Sequence, residues 1–138
     1  ALRHMNAPPC TDTFGPPCGF DDGKPAVALT RASDAAFTQA IDGTQPSGGT
    51  PTLPALQGAI AYAKQIAADH PGDKTAVVLV SDGEPTDGGY KAANIIPKVE
   101  EMQKKLPRPT VINIVAFFAD GGWEFMKMLA AKHPGRFK

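Results

Sequence analysis

Two acidic side chains in the middle of the chain follow a run of apolar β-forming residues. Residues 77–80, Val-Val-Leu-Val, predict a strand buried on both faces, and apolar character stops abruptly at Ser81-Asp82-Gly83-Glu84-Pro85. Asp82 is therefore expected at the carboxyl end of a strand, with Glu84 in the loop beyond it. In open parallel sheets the loops at that edge converge on ligands, which makes this acidic loop a candidate site. Asp-Gly and Glu-Pro are also common turn formers, so an ordinary turn is the alternative.

A threonine in a loop rich in glycine and hydroxyl groups is the second candidate. This loop, residues 44–52, precedes an amphipathic helix predicted over residues 53–69, whose apolar residues recur with helical spacing. Thr52 is predicted to be the N-cap of that helix, which gives its hydroxyl a structural explanation. Thr50 has no such explanation, and we therefore favour Thr50 as the functional hydroxyl.

Both cysteines, Cys10 and Cys18, lie in an opening segment rich in proline and glycine. This segment, residues 1–24, shows neither helical nor strand periodicity and is predicted to be a loop region within the domain. A Cys10–Cys18 disulfide would secure a loop that has little core of its own. Two free thiols or half of a metal site are the alternatives. The C-x7-C spacing does not match a zinc knuckle, and no histidine lies close enough to complete one.

Strands and helices alternate along the rest of the chain. The predicted order is a strand over 25–30, a helix from an N-cap at Ser33 to about Ile41, the helix over 53–69, the strand over 77–80, a helix over 94–106, a strand over 111–117, a helix over 123–132 and the entry to a further strand at 136–138. This alternation predicts an α/β, Rossmann-like fold with a mainly parallel sheet and helices on both faces. The Thr50 and Asp82 loops would then share one edge of the sheet.

Side-chain spacing predicts which helix faces point inward. The expected inward residues are Phe37, Ala40 and Ile41 in the first helix, Ile96, Val99, Met102 and Leu106 in the third, and Phe125, Met126 and Leu129 in the last. Pro97 is placed in the first turn of its helix. Asn113, inside an apolar strand, needs a hydrogen-bond partner if it is buried. His70 and His133, each followed by Pro-Gly, are predicted at helix C-termini, where a cation complements the helix dipole.

Length and charge limit the function classes. With 138 residues, 42% of them hydrophobic, the chain has room for one domain with a core but is short for a sheet covered on both faces. Lys and Arg balance Asp and Glu at 14 each, which disfavours nucleic acid as a partner. No apolar run is long enough to span a bilayer. Ala1 begins no signal-like segment, so the signal of an exported protein would already have been removed.

Two motifs together resemble von Willebrand factor type A (VWA) domains. GGTPTLPAL at residues 48–56 and VVLVSDGEPTDGG at residues 77–89 are similar to the second and third elements of that family's metal-ion-dependent adhesion site. The resemblance covers residues 25–138 and implies a partial VWA-like domain. Thr50 matches the family's metal-binding threonine, Asp82 its strand-end aspartate, and Glu84 an acidic residue that reaches the ion's water shell. The family's first element, DxSxS, has no counterpart in this chain, and the resemblance implies that it belongs upstream of Ala1.

The resemblance implies a non-enzymatic, cation-dependent protein-binding module, exported or at a cell surface. Its Mg²⁺ or Ca²⁺ would accept a carboxylate from an acidic residue of a partner protein, and oxygen ligands suit such hard cations. Thr50, Asp82 and Glu84 fall short of the roughly six oxygens that Mg²⁺ takes. The chain alone is therefore expected to bind Mg²⁺ weakly or not at all. An upstream segment or another chain is expected to complete the site and to pair beside residues 77–80.

Two other function classes stay open at this point. A metal-assisted hydrolase or phosphoryl-transfer enzyme would use Asp82 as ligand or nucleophile and Glu84 as base. That interpretation lacks a P-loop and a serine, cysteine or histidine placed as an activated nucleophile or base. An intracellular chelatase-type or assembly subunit would use the same module with Cys10 and Cys18 as free thiols.

Overall fold

A two-stranded parallel sheet lies at the centre of the described part of the chain. A computed structural model describes residues 34–43, 50–82, 85, 92–117, 122–133, 135, 136 and 138. The elements in chain order are α1 (Ala35–Asp42), α2 (Thr52–Asp69), β1 (Ala76–Ser81), α3 (Ala92–Lys104), β2 (Val111–Ala116) and α4 (Trp123–Lys132). β1 and β2 are parallel neighbours, paired from Ala76–Val111 to Ser81–Ala116. This confirms the α/β class and the predicted pairing of the two apolar strands. The strand predicted over 25–30 lies outside the described residues.

Helices α2, α3 and α4 cover one face of the strand pair. Leu79, Ile112 and Ile114 lie on that face in one cluster with the inward side chains of the three helices, which are Leu53, Leu56, Ile60, Ile95, Val99, Phe125, Met126, Leu129 and Ala130. On the opposite face Val78 and Val80 are 60% and 51% exposed. The prediction that residues 77–80 are buried on both faces is therefore wrong. A run of β-forming residues makes both faces apolar, but burial of the second face needs a second layer, which the described helices do not supply.

The first helix is capped by a different residue from the one predicted. Asp34 is the N-cap of α1, and its Oδ1 accepts a hydrogen bond from the Ala36 amide at 2.9 Å. Ser33, the predicted cap, lies outside the described residues. No residue of α1 is fully buried, but Phe37 and Ala40, both predicted to face inward, are half-buried while the rest of the helix is exposed. Ile41 is 49% exposed, so the prediction is wrong for that residue.

The second helix begins without a side-chain cap. Pro51 occupies the N-cap position, and Thr52 is the first helical residue, so the prediction of Thr52 as N-cap is wrong. The Thr52 amide donates to the Thr50 carbonyl at 2.8 Å, and the Ala55 amide donates to the Pro51 carbonyl at 3.1 Å. Pro54 has no amide hydrogen. Backbone carbonyls thus satisfy the amides of the first and fourth residues of the helix, and the third residue has no amide to cap.

Helix α3 begins and ends earlier than predicted, but its predicted inward residues do face the core: Val99 is buried, and Ile96, Met102 and Leu106 are partly buried and pack against it. Ile95, which was not predicted to face inward, is fully buried as well. Pro97 lies inside the helix and not in its first turn. The buried positions recur every fourth residue and end at Gln103, a polar residue that apolar patterning does not count.

Gln103 ties the end of α3 to the start of β2. Its Nε2 donates to the Thr110 carbonyl at 2.7 Å, and its Oε1 accepts from the Thr110 amide at 2.8 Å. Both residues are buried. We call this pair the Gln103–Thr110 clasp. It satisfies both backbone groups of Thr110, which precedes β2.

The last residues pair with the free edge of β2. The Ile114 amide donates to the Arg136 carbonyl at 2.8 Å, the Lys138 amide donates to the Ile114 carbonyl at 3.0 Å, and the Ala116 amide donates to the Lys138 carbonyl at 2.9 Å. The partners advance together along both segments, which is the parallel sense, as the predicted strand entry at 136–138 requires. Asn113 finds its partner here, because its Oδ1 accepts from the Arg136 amide at 2.9 Å.

His133 and Gly135, which follow α4, fit tightly against β2. A Cβ at Gly135 would lie 1.7 Å from the Ile112 carbonyl oxygen, so only glycine fits there. The His133 carbonyl accepts from the Ile112 amide at 3.2 Å. Both His70 and His133 follow the last residue of a helix, as predicted.

His133 does not serve as a cation at its helix end. The residue is only 4% exposed, and its Nε2 has no hydrogen-bond partner in the described part of the chain. Burial lowers the pKa of His133, Glu100 opposes this shift, and Lys132 adds to it. Glu100 and Lys132 themselves pair at 3.3 Å. The predicted interaction of a charged His133 with the helix dipole is therefore wrong, because the environment favours the neutral imidazole.

Candidate metal site

Asp82 follows directly after the last residue of β1. The ladder between the strands continues past their ends, since the Phe117 amide donates to the Ser81 carbonyl at 3.0 Å. This bond fixes the backbone next to Asp82, whose side chain is exposed. The strand thus presents the carboxylate at the carboxyl edge of the sheet, with access from solvent.

Thr50 lies two positions before α2, at a well-anchored helix start. Pro51, Thr52 and Leu53 are buried, and the Thr50 carbonyl accepts both the Thr52 amide and, at 3.4 Å, the Thr52 hydroxyl. Because α2 packs on β1 and a short turn joins them, helix and strand run in opposite directions. The beginning of α2 and the end of β1 therefore meet at the same edge. Thr50 and Asp82 belong to that edge.

Three predicted site residues lie outside the described residues. They are Glu84, which the sequence places beside Asp82, and the two cysteines Cys10 and Cys18. The water-mediated role predicted for Glu84 and the Cys10–Cys18 disulfide stay predictions.

Ser81 adds a buried hydroxyl that the sequence reading missed. The residue is 6% exposed, and its Oγ has no hydrogen-bond partner in the described part of the chain. Alternation along β1 puts Ser81 on the helix-covered face together with Leu79. That alternation was the available signal, because it places a polar residue at an inward position of an apolar strand.

The donor set at this edge suits a cation better than an anion. Anion sites at helix starts need free amides, but the Thr52 and Ala55 amides are bonded to carbonyls and Pro54 has none. The other groups are hydroxyl and carboxylate oxygens, which are the ligands of hard cations such as Mg²⁺ and Ca²⁺. The residues fit such a cation in kind, although they are fewer than a complete oxygen shell.

Within the described residues, no three His, Cys, Asp or Glu side chains group together in a way that could hold a metal ion. None of the described helices is both long and apolar enough to cross a lipid bilayer. Comparison with protein-family models, with curated protein sequences and with solved structures finds no match to this chain. The functional assignment therefore depends on the motif residues and on where the chain topology carries them.

Proposed function

We propose that this chain is part of a cation-dependent protein-binding module of the VWA type. The observation that carries the proposal is the pair of motifs, GGTPTLPAL and VVLVSDGEPTDGG, whose Thr50 and Asp82 fall just before a helix and just after a parallel strand. Either motif alone is an unspecific signal, but their order and spacing together resemble the family's metal-ion-dependent adhesion site. The parallel pairing of β1 and β2 supports the proposal, since this fold class collects ligand-binding loops at the carboxyl edge.

In this proposal Thr50 and Asp82 hold the cation and Glu84 contacts it through water. A bound Mg²⁺ or Ca²⁺ would supply an open coordination position for a carboxylate of the partner protein. Asp82 is exposed, so a partner can approach from solvent. Few protein carboxylates at the ion leave it a net positive charge, and that charge favours an acidic residue of the partner.

The module is proposed to need a further element beside β1. VWA domains carry the DxSxS element on a strand at that position, and this sequence of 138 residues contains no such motif. Val78 and Val80 leave an apolar face of β1 exposed, which supports a further layer on that face. β1 pairs only with β2 in the described sheet, and an upstream segment or another chain that pairs along the other edge of β1 would complete the oxygen shell and continue the sheet. With Cys10 and Cys18 bonded, we place the protein outside the cell or at its surface.

A titration of the chain with Mg²⁺ and Ca²⁺, followed by ¹H–¹⁵N NMR, tests the proposal. We expect weak binding, with a Kd of about a millimolar or weaker, and shifts centred on Thr50 and Asp82. Asp82→Ala should abolish these shifts. Asp73→Ala is the matched control, because Asp73 is equally exposed but lies before β1, at the opposite edge. Equal losses in both variants, or intact binding in Asp82→Ala, would place the cation elsewhere and refute the assignment.

A second measurement tests the missing element. A version of the chain extended upstream to include a DxSxS segment should bind Mg²⁺ at least tenfold more tightly, because three further oxygens complete the shell. Calorimetric titration of the two versions gives the comparison. Tight binding by the 138-residue chain alone would contradict the proposed division of the site.

A further inference from the structure

The hydroxyl of Ser81 is a buried polar group without an internal explanation. A buried donor and acceptor left without a partner destabilises the fold, so such groups are rare unless water, an ion or a function satisfies them. Ser81 is 6% exposed, and its Oγ has no hydrogen-bond partner in the part of the chain that the structure covers. Ala116, which pairs with Ser81 in the sheet, is a small apolar residue. This end of the sheet therefore accommodates a side chain that has no hydroxyl.

Ser81 lies where the proposed cation would bind. It is the last residue of β1 and directly precedes Asp82. Its side chain is on the face that α2 covers, and the chain direction puts the beginning of α2, with Thr50, at the same edge of the sheet as the end of β1. The buried hydroxyl therefore belongs to the same edge as Thr50 and Asp82. Among the described residues, the other buried side-chain atom without a hydrogen-bond partner is His133 Nε2. His133 follows α4 and lies beside the start of β2, at the opposite edge of the sheet.

We propose that Ser81 supplies a third protein oxygen to the cation site, in addition to Thr50 and Asp82. This inference rests on the proposed function and extends it to Ser81, a residue that the resemblance did not match to a metal-binding position. A hydroxyl adds an oxygen to the shell of a hard cation without adding negative charge, so the ion keeps its attraction for a partner carboxylate. The cation or its water would also satisfy the orphaned hydroxyl. Ser81 therefore destabilises the cation-free protein and strengthens cation binding.

Two opposite effects of one substitution test this inference. In EDTA, Ser81→Ala should melt at the same temperature as the wild type or higher, because the orphaned hydroxyl is gone. In saturating Ca²⁺ the variant should gain less in Tm than the wild type. Its Kd for Ca²⁺ and Mg²⁺ in the NMR titration should rise about tenfold or more, as for other groups that support a metal shell.

Two further variants act as controls. Ser81→Thr keeps the hydroxyl and should retain most of the affinity. Thr75→Val removes a hydroxyl just before β1, at the opposite edge of the sheet, where Thr75 Oγ1 lies 3.5 Å from Thr110 Oγ1. This variant should leave the Kd unchanged, even if it lowers Tm.

The outcomes separate this inference from the proposed function. If Asp82→Ala abolishes binding and Ser81→Ala binds as the wild type does, the cation site stands and the role of Ser81 is wrong. If Ser81→Ala lowers Tm equally with EDTA and with Ca²⁺ and leaves the Kd unchanged, the hydroxyl is structural and the inference also fails. If Asp82→Ala binds the cation as the wild type does, both proposals fall together.

Discussion

The Gln103–Thr110 clasp gives the sharpest test of how the described core is held together. Replacing Gln103 with methionine keeps an unbranched side chain of similar length and removes both hydrogen bonds, at 2.7 and 2.8 Å. The Thr110 amide and carbonyl are then buried without partners, and each such group costs about 1–3 kcal/mol. Some water entry would reduce the sum, so we expect the free energy of unfolding to fall by about 2–4 kcal/mol. Domains of this kind have only about 5–15 kcal/mol in total.

Urea unfolding followed by circular dichroism measures this change, with an unchanged m-value as the sign that the native fold persists. Gln65→Met is the matched control, because Gln65 is exposed on α2 and its replacement should change stability by no more than about 0.5 kcal/mol. A loss below about 0.5 kcal/mol in Gln103→Met would show that the clasp contributes nothing in solution, and the reasoning from its geometry would be refuted.

The same position offers a pH-dependent variant. In Gln103→Glu an ionised carboxylate would face the Thr110 carbonyl, and burial would raise the pKa of that carboxyl above its unfolded value of about 4.3. At a pH below the folded pKa, the protonated carboxyl can donate to the Thr110 carbonyl as the Gln103 amide does. The destabilisation relative to wild type should therefore be smallest near pH 4 and grow as the pH rises through the folded pKa. A constant difference across this range would contradict burial of the side chain.

Three further predictions follow from other contacts. Because burial lowers the pKa of His133 below its ordinary 6.5, the unfolded state binds more protons than the folded state, so stability should fall as the pH drops below about 6.5. In urea unfolding across this pH range, His133→Gln should flatten the slope. Gly135→Ala should cost about 2 kcal/mol or more, because its Cβ would lie 1.7 Å from the Ile112 oxygen, whereas Gly72→Ala, with open space around it, should be near neutral in the same assay. Thiol titration of the unreduced, denatured protein should find no free thiol at Cys10 or Cys18, and two free thiols would indicate an intracellular protein.

The most regular parts of the fold could be predicted from sequence. β1, β2 and α4 combine strong periodicity with clear boundaries, and the predicted bounds of α4 are those observed. The residues of α3 predicted to face inward do pack on the core, but the burial of Gln103 was missed because it depends on hydrogen bonds, which hydrophobic periodicity cannot register. The exposure of Val78 and Val80 was missed because their residue type shows that this face of the strand could be buried, but not whether a second layer covers it.

The candidate site was predictable in part for a similar reason. Thr50 and Asp82 stand at chain positions that motif spacing identifies, and the chain direction carries both to one edge of the sheet. The predicted reason for choosing Thr50, that Thr52 caps the helix, was wrong, because Pro51 holds the cap position. Ser81 was overlooked because a hydroxyl at a strand end is ordinary in sequence, and becomes unusual only once its burial and lack of a partner are known.

The clasp also bears on the order in which the chain folds. The two strands are far apart in sequence, as the neighbouring Thr75 and Thr110 hydroxyls show, since these two residues are 35 positions apart. Closing such loops is slow, because entropy is lost before contacts are gained. Gln103 and Thr110 are only seven residues apart, so their clasp can form while the strands are still separate. We expect α3 and β2 to associate first, so that β1 then pairs with an edge of β2 that is already formed. In stopped-flow refolding, Gln103→Met should then lower the folding rate constant and leave the unfolding rate constant nearly unchanged.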